Sequence, residues 1–203
     1  MIGENIMLSN VSKMPGKSIS LSAFDCQTGE KLSKIPGSVC HDCYARKGMY
    51  RMPNVINKME ERKEFFDSID FVPRMIGLLN KTRSEYFRWF DSGDVQSVRM
   101  ALNILDVVEA TPNKRHWIPT KERAIWLDAI KQYGRKLPDN LVIRYSASMV
   151  DQAPPESWQH SSAVVKSIDA IGHECPAPTQ QGKCGECRAC WDKNVKTVSY
   201  HKH

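Results

Sequence analysis

The segment FRWFDSGDVQSVRMALNILDVV, residues 87–108, decides the fold class. It opens with a short apolar and aromatic run, continues through the turn-like sequence Asp91-Ser92-Gly93-Asp94, and ends in a helical pattern. The apolar positions of that pattern are Val95, Val98, Leu102, Leu105 and Val108. A strand that leads through a turn into a helix is the repeating unit of α/β proteins. The segment therefore predicts one βα unit.

The same unit recurs on both sides of this segment. Further strands are predicted at residues 115–119, 141–145 and 163–168, and residues 124–130 carry another helical face. Upstream, residues 19–24 are the candidate first strand, and helices are predicted at 55–66 and 71–79. We therefore predict a single α/β domain over residues 1–203, built on a small parallel sheet or incomplete (β/α) barrel of about five strands, with cysteine-rich loops at one face.

Composition excludes several classes of function. The chain has 203 residues, of which 41% are hydrophobic, so it can bury a core without disulfides. No apolar run is long enough to span a bilayer, and the first residues lack the apolar run of a secretion signal, so we predict a cytoplasmic protein with no membrane partner. The net charge of +6 is scattered, which favours a solvated basic surface; nucleic acid stays open as a partner but has no motif behind it.

The chain contains seven cysteines, which in a reducing compartment are more often metal ligands or catalysts than disulfides. Four of them, Cys175, Cys184, Cys187 and Cys190, follow the pattern C-x8-C-x2-C-x2-C. Such a run can present three thiolates to the corners of a cubane, and a fourth cysteine can complete the ligation. Structural zinc more typically takes two separate C-x2-C pairs. The pattern favours an iron-sulfur cluster, with residues 169–203 as a cysteine-rich metal-binding tail packed on the domain.

The other three cysteines, Cys26, Cys40 and Cys43, lie in the long loop predicted at residues 25–51. Taken alone they also fit half of a zinc site, a redox pair or a buried thiol. Their position after the first strand favours a site, because α/β folds build sites beyond the carboxyl ends of their strands. Three thiolates would leave one iron open, whereas four would saturate a cluster. The alternative is a single cluster that takes its ligands from both ends of the chain and leaves some cysteines unliganded.

Several polar residues are expected on the same side of the sheet, at or just past the predicted strand ends. They are Asp91, Asp94, Thr120, Lys121, Ser146 and Ser148. They could bind a polar ligand or tune a cluster, although Asp94 and Thr120 could equally cap helices. His173 is close enough in sequence to Cys175 to be a hydrogen-bond donor to the metal site.

Five segments together resemble the phage "gene product 88" family of small cysteine-rich proteins. The segments are CHDCYARKG, RWFDSGDVQS, HWIPTKERA, VIRYSASM and CPAPTQQGKCGECRACWD. The most specific elements are Cys43-Tyr44-Ala45, Ser92-Gly93-Asp94 and the terminal Cys-x-x-Cys-x-x-Cys-Trp-Asp. The resemblance spans most of the chain and implies a phage protein that acts in the host cytoplasm.

More distantly, the layout is similar to that of radical S-adenosylmethionine enzymes. In that resemblance Cys26, Cys40 and Cys43 match the three-cysteine loop after the first strand, and Ser92, Gly93 and Asp94 match the turn that receives the amino group of the cofactor. The spacing departs from the family, with C-x13-C-x2-C in place of C-x3-C-x2-C. The resemblance implies S-adenosylmethionine as a second cofactor.

The sequence thus predicts an iron-sulfur protein with one or two clusters of the [4Fe-4S] type. Two classes of function stay open. The protein is either a radical S-adenosylmethionine-like enzyme or a non-enzymatic, ferredoxin-like carrier that passes electrons to a redox partner protein. A structural zinc site is the third hypothesis.

Overall fold

The computed structural model describes residues 7–202. The strands within this range form one open sheet of eight strands. The strands are β1 (Ser9–Asn10), β2 (Lys17–Ile19), β3 (Tyr86–Trp89), β4 (Arg115–Thr120), β5 (Leu141–Ser146), β6 (Ser161–Val165), β7 (His173–Glu174) and β8 (Thr197–His201).

The strand order is β1-β2-β3-β4-β5-β6-β8-β7. Strands β2 to β6 neighbour one another in chain order and run parallel, and β8 joins β6 in parallel along five residues. Only β1 is antiparallel, beside β2. The predicted α/β class with a mostly parallel, unclosed sheet is confirmed. The sequential order places the carboxyl ends of β2 to β6 along the same edge of the sheet, where a site can form.

Within residues 7–202, five α-helices alternate with the strands: α1 (Gln27–Ser33), α2 (Pro53–Asp67), α3 (Phe71–Asn80), α4 (Val98–Glu109) and α5 (Arg123–Tyr133). Sequence signals explain the ends of two of them. Ser97 caps α4 by accepting a hydrogen bond from the Met100 amide, and Gly134 ends α5 in the left-handed conformation. Within residues 7–202 no helix is both long and apolar enough to cross a membrane.

One face of the sheet packs against helices α2 to α5. This main core includes Phe65 and Phe66 of α2, Leu105 of α4, Trp126 of α5 and Ile118 of β4, all buried. Because side chains alternate across a strand, the neighbours of these inward residues point to the opposite face. That alternation sends Trp117 and two arginines, Arg88 and Arg144, to the other side of the sheet.

The cysteine-rich tail covers this second face. A smaller core joins Met14, Trp117 and Trp191, with Tyr86 and Tyr200 packed against it. Trp191 belongs to a short 3-10 helix, Ala189–Trp191, that lies against β4 and β5. The tail is thus a layer of the fold on this side of the sheet.

Three elements differ from the sequence prediction. The first parallel strand is Lys17–Ile19, earlier than the predicted 19–24, and α1 lies inside the predicted loop at 25–51. The tail, predicted to contain no strand, provides β7 and β8, so the sheet has eight strands where about five were expected. The strand Thr197–His201 is short and is formed through pairing with the distant β6, which a local pattern does not reveal.

Candidate metal centre

The loop that carries Cys40 and Cys43 crosses the carboxyl edge of the sheet and is fixed at its far side. The Val39 amide donates to the carbonyl of Ser148 at 2.9 Å, and the Val150 amide donates to the carbonyl of Gly37 at 3.0 Å. These bonds hold the loop to the segment that follows β5. The cysteines that follow in the chain are therefore placed over the strand ends, as the sequence predicts.

Cys26, Cys40 and Cys43 lie close together at this edge, and we call them the loop group. The Sγ atoms of Cys26 and Cys40 lie 3.6 and 3.7 Å from the point that a Cβ atom on Gly29 would occupy. The pKa of Cys26 is raised by burial first, and then by the charges of Asp94, Cys40, Cys43 and Glu122. The thiol at position 26 is thus a neighbour in space of the Cys40–Cys43 pair.

The backbone that presents the loop group is stabilised by a carboxylate from another strand end. Glu122 is buried, and its two oxygens accept hydrogen bonds from the Thr28 amide and the Thr28 hydroxyl, each at 2.7 Å. Thr28 is the second residue of α1, two positions after Cys26, so its amide has no partner within the helix. Glu122 therefore caps α1 and fixes the position of Cys26.

Lys121 provides a positive charge next to these thiols. Burial lowers its pKa, and the charges of Cys40, Asp94, Cys26 and Cys43 oppose that change. Its Nζ is held by the carbonyl oxygens of Ser146 and Ala147, at the end of β5. The ammonium group is therefore fixed beside the loop group, where it can balance the charge of thiolates.

The turn Ser92-Gly93-Asp94 lies beside the loop group, and the protein already engages its polar side-chain atoms. The Ser92 hydroxyl donates to the Leu21 carbonyl at 2.9 Å, and Gly93 has a φ of 74°, with Leu21 where a Cβ would be. Asp94 accepts hydrogen bonds from the amides of Val95 and Lys121 and from the Thr120 hydroxyl, at 2.7–2.8 Å. Burial raises the Asp94 pKa to about 7, although these bonds oppose the shift. The turn joins the ends of β2, β3 and β4.

The other four cysteines form a second neighbourhood, which we call the tail group: Cys175, Cys184, Cys187 and Cys190. Burial raises the pKa of Cys184, and the charges of Cys175 and Cys187 contribute. Burial also raises the pKa of Cys190, to about 11, and Cys175 again contributes. Cys175 is therefore close to both of these cysteines. The backbone ties the group to β8 and to the segment between β1 and β2, because the Cys175 amide donates to the carbonyl of Ser199 and the Cys184 amide to that of Lys13.

Two side chains make polar contacts with tail-group sulfurs. Tyr200 Oη is 3.1 Å from Cys190 Sγ, and His173 Nε2 is 3.3 Å from Cys187 Sγ. The sequence predicts His173 as a donor to the metal site, and in the structure its sulfur partner is Cys187. The reason is that β7 and the turn of the C-x2-C run bring position 187 to the histidine ring.

Two arginines beneath the tail group were not identified from the sequence. Arg144 is fully buried and donates to the carbonyls of Cys190, Ala189 and Asp192. Arg88 places its guanidinium 4.6 Å from the centroid of the Trp117 ring. A signal does exist, because each arginine interrupts an otherwise apolar strand in the segments FRW and IRY.

The thiols of each group are neighbours without forming a completed coordination site. Within the part of the chain that the structure describes, residues 7–202, no set of three or more histidine, cysteine, aspartate or glutamate side chains forms a group that could hold a metal ion. All seven cysteines are free thiols. The structure thus brings the loop group together and the tail group together, while their ligation stays a prediction.

Comparison with known protein families identifies the chain's relatives. The model of the family described as gene product 88 matches residues 5–193. The chain belongs to the gene product 88 family. The match includes all seven cysteines and confirms the family resemblance read from the sequence motifs. No curated protein and no solved structure matched the chain. For this member of the gene product 88 family, function must therefore be inferred from the two thiol groups themselves.

Proposed function

We propose that this gene product 88 protein binds iron-sulfur clusters of the [4Fe-4S] type, one at the tail group and one at the loop group. The observation that carries the proposal is the gathering of seven free thiols into two neighbourhoods, of four and of three. Thiolate is the ligand that such clusters use. A bound cluster would supply one-electron chemistry at each place.

The surroundings of the loop group fit a large anionic ligand. The Gly29 backbone lies against Cys26 and Cys40: a Cβ atom at that position would lie 2.8 Å from the Cys26 Cβ and next to both sulfurs, so any side chain there would displace the thiols. Lys121 supplies a fixed positive charge at the same place. Three thiolates beside a positive charge suit a cluster with one iron left free for another ligand, which is the arrangement that an enzyme needs.

The surroundings of the tail group fit a cluster that only exchanges electrons. Four cysteines complete the ligation, and Trp191 shields the group on the sheet side. Tyr200 and His173 can donate hydrogen bonds to the sulfurs, which is one of the ways in which proteins set a cluster's reduction potential. Such a group would serve as a carrier to a redox partner protein in the reducing cytoplasm of a host cell.

Metal and sulfide analysis tests the proposal. The chain, purified without oxygen, is compared with the pair variants Cys184→Ser/Cys187→Ser and Cys40→Ser/Cys43→Ser. We expect about eight iron atoms and about eight sulfides per chain, falling to about four of each in either variant. If the unsubstituted chain instead contains four iron atoms and four sulfides, and both variants contain none, one cluster is shared between the two groups. Zinc without sulfide would indicate a structural zinc protein.

A radical S-adenosylmethionine-like reaction is the second candidate, and the position of the loop group favours it. The three thiols lie at the carboxyl edge of the sheet, beside the turn Ser92-Gly93-Asp94. The three residues that precede Cys26 in the chain, Ala23, Phe24 and Asp25, line part of a cavity of about 370 Å3. That volume is within the usual range for a small-molecule site.

Cofactor consumption tests this candidate. The reduced, cluster-loaded chain is incubated with S-adenosylmethionine, and the cleavage products are measured. Cleavage that is lost in Cys40→Ser/Cys43→Ser and retained in Cys184→Ser/Cys187→Ser would support an enzyme. A reversible redox couple without binding or cleavage of the cofactor would leave the electron carrier as the function.

A further inference from the structure

A second cavity lies at the amino edge of the sheet, where β2 and β3 begin, opposite the edge that carries the loop group. Its volume is about 600 Å3, which is within the usual range for a small-molecule site. Lys17, Lys81 and Arg83 line it, and none of its lining residues within the described range 7–202 is acidic. A cleft lined by charges of one sign concentrates ions of the opposite sign. The cavity is therefore suited to an anion.

The three cations reach this cavity from different parts of the chain. Lys17 is the first residue of β2, Lys81 directly follows α3, and Arg83 lies in the loop before β3. Gly16 allows the first of them to lie against this loop, because its φ is 87° and a Cβ atom there would overlap the carbonyl oxygen of Tyr86. A residue with a side chain does not permit such a close approach. The backbone therefore fixes the positive charges around one space.

Two of these cations have no side-chain partner in the described part of the protein. Within residues 7–202, neither Lys81 nor Arg83 forms an ion pair or a side-chain hydrogen bond. The ammonium group of Lys17 donates to the uncharged side-chain oxygen of Asn10. The helix dipole favours a cation at Lys81, because this residue follows the carboxyl end of α3, but it does not account for the other two. The cations are thus available to an added ligand.

A buried ammonium group adds a fourth positive charge next to the loop that lines the cavity. Lys114 is buried, and its Nζ donates to the carbonyls of Thr82 and Ser84, each at 2.9 Å. Buried lysines usually pair with a carboxylate, but none within residues 7–202 pairs with this one. Glu85, which follows Ser84, pairs instead with Arg115 at 3.3 Å. The charge of Lys114 therefore adds to the positive field at the cavity.

The rest of the cavity wall is partly apolar. Met7, Leu8 and Leu78 line it, and the two leucines also pack against the main core. A ligand that fills the cavity therefore combines several negative charges with a less polar portion. Organic phosphates have this combination, and their oxygens are good acceptors for lysine and arginine. Several cations around one space favour a ligand with more than one phosphate group.

We propose that this cavity binds an organic polyphosphate of the nucleoside triphosphate class. Lys17, Lys81 and Arg83 bind the phosphate oxygens, and the nucleoside lies against Leu8 and Leu78. The inference goes beyond the proposed function and does not depend on metal binding by either thiol group.

Equilibrium dialysis with radiolabelled adenosine triphosphate tests the proposal. The unsubstituted chain is compared with Lys81→Gln/Arg83→Gln at low ionic strength and without divalent cations. We expect saturable binding whose Kd rises at least about tenfold in the variant, because two charge-assisted contacts are lost. Both side chains are exposed and make no contact that the fold needs, so urea denaturation should show an unchanged stability.

Arg99→Gln/Lys131→Gln is the matched control. It removes one arginine and one lysine that are also exposed, from α4 and α5, away from the lining of the cavity. This variant should bind the nucleotide as the unsubstituted chain does. Equal weakening in the two variants would show that only the net charge attracts the nucleotide and would overturn the site. Absence of saturable binding to the unsubstituted chain would also overturn it.

Competition identifies the source of the phosphates. Unlabelled adenosine triphosphate should displace the label at a lower concentration than inorganic triphosphate, because only the nucleotide covers Leu8 and Leu78. Equal displacement would overturn the role of the apolar wall. Displacement at a still lower concentration by a single-stranded oligonucleotide would overturn the free nucleotide as the ligand and assign the phosphates to a nucleic acid. The iron content of both variants should equal that of the unsubstituted chain, so a failure of this proposal is distinguishable from a failure of the proposed function.

Discussion

The guanidinium of Arg144, on β5, donates a hydrogen bond to the backbone carbonyl of Cys190 at 3.0 Å. The same side chain also donates to the carbonyls of Ser161, Ala189, Asp192 and Lys196, so each of its five N–H groups has a partner. The contact joins the centre of the sheet to the cysteine-rich tail, 46 positions away in the chain. The position of the tail group thus depends on one buried cation.

Replacing Arg144 should loosen the tail. Arg144→Met removes every one of these donors and leaves carbonyl oxygens unpaired in a buried place, so we expect a loss of about 3 kcal/mol in the free energy of unfolding. Urea denaturation measures the change. Arg135→Met is the control, because its guanidinium is exposed, pairs with Glu109 and lies over the Tyr133 ring at the surface, so the expected change is below about 0.5 kcal/mol. Equal effects of the two substitutions would show that Arg144 does not hold the tail.

His116 should make the fold sensitive to acid. It is fully buried, its Nδ1 accepts from the Trp89 indole at 3.2 Å, and its Nε2 lies 2.9 Å from the Thr111 hydroxyl. Burial lowers the His116 pKa to about 3, against about 6.5 in the unfolded chain. Between about pH 6.5 and pH 3, His116 takes up a proton in the unfolded state and not in the folded state. The contribution of neutral His116 to the unfolding free energy is therefore complete above about pH 6.5 and is lost as the pH falls.

The size of this effect can be checked against a variant. Between about pH 6.5 and pH 4, the unfolding free energy should fall by roughly 3 kcal/mol more in the wild type than in His116→Gln. Denaturant titrations at a series of pH values give both curves. Parallel curves would mean that His116 does not contribute to acid sensitivity.

Gly29 and Gly77 offer a matched pair of glycine-to-alanine substitutions in helices. A Cβ on Gly77 in α3 meets no atom within 4 Å, so Gly77→Ala should stabilise the protein by about 1 kcal/mol. A Cβ on Gly29 in α1 would lie 2.8 Å from the Cys26 Cβ and next to two sulfurs. Gly29→Ala should therefore abolish iron binding at the loop group, measured as iron per chain, while Gly77→Ala retains it. Full iron content in Gly29→Ala would show that the loop group does not need a glycine at this position.

Tyr200 should set the reduction potential at the tail group. Its hydroxyl lies 3.1 Å from Cys190 Sγ, and a hydrogen bond to sulfur stabilises the reduced, more negative state. Tyr200→Phe should lower the potential by roughly 40 mV, the equivalent of about 1 kcal/mol in a one-electron couple. Tyr145→Phe, on the helix-covered face, is the control and should leave the potential unchanged. A redox titration followed by electron paramagnetic resonance compares the three proteins.

Much of the fold follows from local patterns. The segments that form β3, α4, β4, α5 and β5 were predicted because their apolar periodicity matches the elements they form. Helix α1 was missed because it has seven residues, contains Gly29, and takes its cap from Glu122, which is 94 positions away from Thr28. Strand β8 was missed for a similar reason, since its hydrogen bonds come from β6. Both elements depend on contacts that are distant in sequence.

The candidate sites show the same division. The predicted grouping of cysteines and the placement of Lys121 at a strand end follow from spacing and from the geometry of parallel sheets, and the structure brings these residues together. The role of Asp94 differs, because its carboxylate accepts three hydrogen bonds within the protein, so its part in binding a cofactor stays a prediction. Arg144 could not be assigned from the sequence, because four of the five carbonyls that it binds belong to the tail.

X-ray absorption at the iron edge of the chain, purified without oxygen and without added metal, tests the central claim most directly. If each thiolate group holds a cluster, the spectrum should show iron surrounded by sulfur at about 2.3 Å, with a strong signal from neighbouring iron atoms. A protein that contains zinc with sulfur neighbours and no iron–iron signal would contradict the account.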